Sequence, residues 1–145
     1  MPSPGLLLVN SRVSIRYDPR KWEQEETDAV GHFTFIHSSG QGYAIVTQGR
    51  IPTPIDSVQD TVLSVLRSVD PFARIVFKEM RRVNDSDVLF LRFDNDLHGI
   101  PMMNCGYFYS GKSGTVQVIA FARKAHFGEF EQDFMEFLNG LSISE

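Results

Sequence analysis

Between residues 73 and 123 the chain alternates apolar and polar side chains through four segments, residues 73–83, 86–93, 101–109 and 115–123. Only Asn84-Asp85, residues 94–99 and residues 110–114 separate them. A period of two marks pleated strands. A parallel crossover takes a dozen or more residues, so turns this short make the four segments antiparallel neighbours. Val88, Leu89, Phe90 and Leu91 are apolar at successive positions. Both faces of that strand therefore need cover, and it is expected to lie centrally in its sheet.

The rest of the chain supplies the cover. Residues 12–17 alternate, with Val13, Ile15 and Tyr17 on one face, until Asp18-Pro19 breaks the strand. Residues 21–27 read as a charged connector around Trp22. Residues 31–37 and 43–48 form a hairpin across a Gly/Ser-rich turn at residues 38–42. A helix opens at Thr53, whose hydroxyl suits a cap, with Pro54 at the first helical position and Asp56 completing a capping box. Ile55, Val58, Val62, Val65, Leu66 and Val69 make its apolar stripe, and Asp70-Pro71 ends it. A second helix spans residues 125–139. Phe127, Phe130, Phe134, Phe137, Leu138 and Leu141 form its stripe, and Gly140 suits a left-handed stop. The expected class is α+β: a mostly antiparallel sheet of about six to seven strands flanked by two main helices. Both helices are expected on one face, with the leader and the Trp22 connector covering part of the other.

A chain of 145 residues fits one domain. Residues 1–11 read as a flexible leader and residues 12–145 as the domain. Twelve phenylalanines point to an aromatic core. The net charge of −4 argues against nucleic acid and anionic membranes as partners. Lys78, Arg81 and Arg82 are the one local basic stretch, read as a solvated strand end. Leu6 to Val9 is too short an apolar run for a signal peptide or a membrane span, so a soluble domain is expected in a compartment the sequence does not name. Cys105 is the single cysteine, so no internal disulfide forms.

Sites are harder to find. Residues 106–113 match the phosphate-binding pattern G-x-x-x-x-G-K-[ST], but that chemistry needs a helix after the loop, and Thr115 onward reads as a strand. A hairpin turn is expected there. Asp94-Asn95-Asp96-Leu97-His98-Gly99 resembles the opening of a calcium loop, yet the twelfth position is Cys105 where a bidentate Glu belongs. His32 and His37 fall on opposite faces of one strand, and His98 and His126 lie elsewhere, so no metal set is expected. Cys105 reads as a small buried hydrophobe. Asp56 reads as a cap and Asp60 as solvent-facing, so no general acid or base is assigned. No catalytic, cofactor or metal residues are expected. Two pairs suit a protein partner. Tyr17 and Trp22 bracket Asp18-Pro19, and Met102-Met103 follow a Gly-Ile-Pro turn; aromatics and methionine both serve adaptable interfaces. The alternative for each pair is that it closes a face of the sheet.

The order of elements resembles the PsbP-like superfamily of α/β/α sandwiches. Tyr17-Asp18-Pro19 followed by Trp22, the strand with Phe33 and Phe35, the Pro54-led helix, the Val83-Asn84-Asp85 turn, the Tyr107/Tyr109 strand and the closing Phe137-Leu138-Asn139-Gly140-Leu141 carry the resemblance. That superfamily holds an extrinsic subunit of photosystem II, a Ran-binding transport factor and chaperones of type VI secretion effectors. The resemblance covers nearly the whole chain, assigns no branch, and implies a non-catalytic adaptor that binds a protein. A small-molecule binder or enzyme with a pocket between sheet and helices is the alternative reading. A sensor or targeting domain of a longer chain is a third.

Overall fold

The computed structural model describes residues 4–27, 29–49, 53–112 and 114–144. In chain order the strands and helices are β1 (Gly5–Leu8), β2 (Val13–Tyr17), β3 (Trp22–Glu25), β4 (His32–His37), β5 (Gly42–Gly49), α1 (Ile55–Val69), β6 (Arg74–Val83), β7 (Ser86–Leu97), β8 (Ile100–Gly111), β9 (Gly114–Arg123), α2 (Phe127–Leu138) and β10 (Leu141–Ile143). The expected meander is present as β6 to β9, every neighbour antiparallel. Strand β9 then pairs with β5, giving a seven-stranded sheet in the order β3-β4-β5-β9-β8-β7-β6 among the described residues.

Two hairpin turns show how the local sequence sets register. Asn84 and Asp85 take φ of 47° and 67°, the left-handed region that Asn and Asp tolerate in a two-residue turn. The Asn84 amide then donates to the carbonyls of Asn139 and Leu141, tying the turn to β10. The second turn is shorter than expected. Residues 94–97 continue β7, paired to residues 100–103, and only His98 and Gly99 turn, with φ of 53° and 86°. The polar run Asp94-Asn95-Asp96 imitates a loop because each side chain has an interaction to make. Asp94 pairs with Arg74, Asn95 accepts from Asn104, and Asp96 accepts from the Gly99 N–H.

Three expectations are corrected. The connector at residues 21–27 is an edge strand, because Trp22 to Glu25 pair with β4. The leader at residues 1–11 is strand over Gly5–Leu8, paired with β2, while residues 1–3 lie outside the described residues. Residues 13–17 stand apart from the main sheet, at the centre of a three-stranded sheet, β1-β2-β10. Leu7, Val13, Ile15, Leu141 and Ile143 bury themselves through this small sheet, which is why it exists as a layer.

The helices also lie on opposite faces, contrary to the expectation of one shared face. Alternate residues of the meander split between two cores. Val88, Phe90, Cys105, Tyr107, Tyr109, Val116, Val118, Ala120 and Ala122 pack with α2 and the small sheet. Leu89, Leu91, Phe93 and Phe108 pack with Val58 and Val62 of α1. A strand apolar on both faces demands a layer on each side, and a pair of helices on one face would leave Leu89 and Leu91 in water. Strand β7 is covered on both faces as expected, though it lies one strand from the edge.

The helix ends differ from their sequence signatures. Pro54 occupies the cap of α1 with extended ψ, no side chain caps the first turn, and the Thr53 N–H donates to the Ser110 hydroxyl at 3.0 Å. Asp56 still sits in the first turn, where the helix dipole favours an anion. Gly140 is needed for close approach: a Cβ there would lie 1.9 Å from the Arg16 carbonyl oxygen. That closeness lets the Arg16 N–H donate to the Gly140 carbonyl at 3.0 Å and dock β10 on β2. Gly140→Ala is therefore expected to destabilise the domain by about 3 kcal/mol in chemical unfolding, since backbone must move to admit the methyl.

Candidate functional site

The face that carries α1 is only part covered. Helix α1 packs over β7 and β8, and Ile119 of β9 is the partly buried limit of its core. Pairing puts the next residues of that face in order. Tyr43 on β5 lies opposite Phe121 on β9, their rings stacked at 5.5 Å. Arg123 follows two residues on, directly opposite Met102 of β8. Met102 pairs with Asn95, and Leu97 pairs with Ile100 to close the hairpin tip. Residues opposite one another in a ladder share a face, so Tyr43, Phe121, Arg123, Met102, Ile100 and Leu97 all point the same way.

Two open grooves flank Met102. One, of about 650 Å³, runs between Val69, Phe72 and Pro101, with Asp70, Asp94, Asp96 and Lys124 along it. The other, of about 400 Å³, is bounded by Tyr43, Leu97, Ile100, Met102, Arg123 and His126, with Gly40 and Gln41 from the β4–β5 turn. Asp70 shapes the first. Its carboxylate accepts the Phe72 N–H at 3.0 Å and the Asp96 N–H at 2.7 Å, fastening the end of α1 to β7. The tight turn this makes leaves Phe72 88 % exposed. Val69 is exposed along the same groove, and Leu97 and Ile100 are exposed along the second. Large apolar side chains gathered at one end of a fold mark an interaction surface more often than isolated ones do.

The four residues singled out from the sequence do not share one surface. Met102 belongs to the grooves just described, and its own side chain is largely buried between them. Met103 points to the opposite face, half-buried against the α2 core. Trp22 is 2 % exposed, packed on Phe137, His37 and Phe134 at ring distances of 4.9, 5.1 and 5.8 Å. Tyr17 is half-buried against Phe35 at 4.9 Å and Phe137 at 6.2 Å. Tyr17 and Trp22 do meet, around Phe137, and both line a groove of about 650 Å³ with Pro19, Arg20 and Ile36. Sequence reasoning misses Phe72, Tyr43, Leu97 and Ile100. Tyr43 and Phe72 break no pattern in the sequence, and Leu97 and Ile100 are hidden in a segment that reads as a polar turn.

One constellation resembles a nucleophilic triad. His37 Nε2 lies 2.9 Å from Asp133, and its Nδ1 lies 2.9 Å from the Ser39 hydroxyl. Acyl transfer also needs free N–H donors where an oxyanion would form. Here the turn spends them. The Ser38 N–H donates to the Lys21 carbonyl, the Ser39 N–H to His37 Nδ1, the Gly40 N–H to the His37 carbonyl and the Gln41 N–H to the Ser39 hydroxyl. The set reads as a lock that holds the β4–β5 turn to α2, extended by Lys21, whose ammonium lies 3.1 Å from Asp133. Burial pushes the Asp133 carboxyl up, but the hydrogen bonds from His37 and Lys21 outweigh it and hold the group below its ordinary value.

The remaining motifs resolve as backbone. The phosphate-loop match lies on β8 and a hairpin leading into β9, with Ser113 outside the described residues. The calcium-loop match is β7 and its two-residue turn. No group of three or more His, Cys, Asp or Glu able to hold a metal occurs among the described residues. Among them, too, no helix is long and apolar enough to cross a membrane. Cys105 is fully buried, and that burial pushes its thiol up to about 12, far from thiolate at neutral pH.

Solved structures place the fold. CyanoP, the cyanobacterial PsbP of Synechocystis sp. PCC 6803, superposes with a TM-score of 0.69 at 10% identity, covering 99% of this chain and 94% of that one. A point mutant of the protein Mog1 gives 0.65 at 6% identity, over 99% and 97%. LpqN of Mycobacterium tuberculosis, described as involved in cell envelope biogenesis, gives 0.55 at 10% identity, over 99% and 85%. No family model matches the sequence. No curated protein matches it either. The chain has the PsbP-like fold, an α+β sandwich. At these identities the likeness defines the architecture.

Two outcomes follow from Asp133 and Cys105. Because the Asp133 carboxyl is depressed on folding, its contribution is present above the unfolded value near 4 and is lost as pH falls through the lower folded value. Asp133→Asn should thus cost on the order of 1 kcal/mol in urea unfolding at pH 7, and the gap from wild type should close as pH drops below about 4. Cys105 should resist iodoacetamide in the folded protein at pH 8 and react only after denaturation, read as mass shift against time.

Proposed function

We propose that this domain is a non-catalytic protein-binding module that docks its partner on the α1-bearing face, around Met102. The support is the apolar end of that face. Phe72, Val69, Leu97 and Ile100 stand in water beside two open grooves, while α2 and the small sheet cover most of the opposite face, leaving a groove beside Tyr17 and Trp22 and Phe77 half-exposed against Phe90. Met102 forms the wall the two grooves share, and methionine adapts to more than one contact shape. A fold shared with PsbP and Mog1 lends the reading support by analogy only.

The pocket between layers has less support. Phe35, Phe90, Phe108, Phe134 and Phe137, between the layers, are all essentially inaccessible and fill that space themselves.

Affinity capture from the native host tests the docking face. Ile100→Asp and Phe72→Asp change exposed side chains, so both variants should melt within a few degrees of wild type. Val30→Asp, at a 95 % exposed site of the β3–β4 connection, is the control. A partner retained by wild type and by Val30→Asp, and lost by both others, is the expected result. Equal retention by all four proteins would refute the docking face.

A further inference from the structure

We infer that the groove between Tyr43 and Met102 takes an extended peptide segment that pairs apolar side chains with carboxylates, the carboxylate being held by Arg123. The inference rests on the docking face proposed above and names the chemistry of its partner.

The argument is one of charge left over. The smaller groove is bounded by apolar Tyr43, Leu97, Ile100 and Met102, and no carboxylate lines it. Its charged residue is Arg123, joined by the ring of His126. In a chain of net charge −4 such a groove is out of keeping with its surroundings. Most arginines here are already engaged: Arg20 with Asp18, Arg67 with the Ala73 carbonyl, Arg74 with Asp94, Arg81 with Glu79, Arg82 with Asp87 and Arg92 with Glu131. Arg123 is exposed, and its guanidinium has no hydrogen bond or ion pair with the described residues. His126 does face an acid, with Glu129 at 3.7 Å from Nδ1, so the open cation is the guanidinium.

The neighbouring groove sharpens the contrast. Its three carboxylates, Asp70, Asp94 and Asp96, each make contacts within the fold. Asp70 accepts two backbone N–H groups, Asp94 faces Arg74 and Lys124, and Asp96 accepts the Gly99 N–H. Asp96 still presents an exposed carboxylate oxygen there, so a peptide carboxylate finds its cation in the smaller groove, at Arg123 beside Met102, directly across the β8–β9 ladder. A guanidinium presents paired donors that match a carboxylate. Apolar side chains of a bound peptide, packed on Tyr43, Leu97 and Ile100, would shield that contact from water and strengthen it. The two grooves meet at Met102, so the surface is long and open, suited to a peptide rather than to an enclosed small molecule.

Fluorescence anisotropy with three labelled eight-residue peptides is the test. Each alternates leucine and phenylalanine with a second residue, which is glutamate, glutamine or lysine. The expected result is that the glutamate peptide binds wild type at least about tenfold more tightly than the lysine peptide, an interval of about 1.4 kcal/mol. Arg123→Glu, an exposed change, should reverse that order, and circular dichroism should show its fold intact. Ile100→Asp should weaken all three peptides. Equal affinity for the three peptides in wild type, with all of them lost in Ile100→Asp, would overturn the role of Arg123 and leave the docking face standing. Binding of no peptide, or binding indifferent to Ile100→Asp, would overturn both.

Discussion

Four consecutive apolar residues on β7 govern the architecture. Val88 and Phe90 point one way and Leu89 and Leu91 the other, so the sheet cannot leave either face in water. Everything else in the fold is an answer to that demand. On one side α2, the small sheet and β3 bring Phe127, Phe130, Phe134, Phe137, Ile15, Val13 and Trp22 down on the meander. On the other, α1 brings two fully buried valines, Val58 and Val62. The two covers are unequal, and the α1-bearing face is left partly open.

The heavy face is held by interactions that leave little freedom. Aromatic rings meet in edge-on and tilted pairs from Phe35 through Phe137 and Trp22 to Phe134 and Phe127. Polar ties run between its layers, including Arg92 with Glu131, Tyr107 with Asn139, and His37 with Asp133. The Arg81 guanidinium lies 3.8 Å from the centre of the Phe90 ring and closes that face toward the β6 edge. The light face has Ile55, Leu66, Ile75 and Ile119 only partly buried at its margin, and beyond them the sheet opens at Met102.

Periodicity carries far along this sequence, and its failures have a common cause. The meander, both helices and the hairpin from His32 to Gly49 are legible because their apolar residues recur at strand or helix spacing. Strand β3 is not, since Trp22 is its single apolar residue and Glu23, Gln24 and Glu25 read as a connector. Strands β1 and β10 are too short to show a period, and only their pairing with β2 defines them. The division of the helices between faces is present in Val88 to Leu91, but the pattern says that both faces need cover without saying which element supplies it. Of the residues singled out for a partner, Met102 lies at the proposed docking surface. Trp22 serves the core, and its aromatic character gives no sign of the difference. Phe72 and Arg123 depend on contacts distant in sequence, the first on Asp70 bridging to Asp96, the second on the β8–β9 register.

Native-state hydrogen exchange measures the central claim, that one face is firmly covered and the other lightly. Amides of α1 should exchange through local openings costing far less than global unfolding, while those of α2, β8 and β9 should exchange only with the whole domain. Protection of α1 equal to that of α2 would mean that both covers are equally firm, and the account of an open docking face would fail.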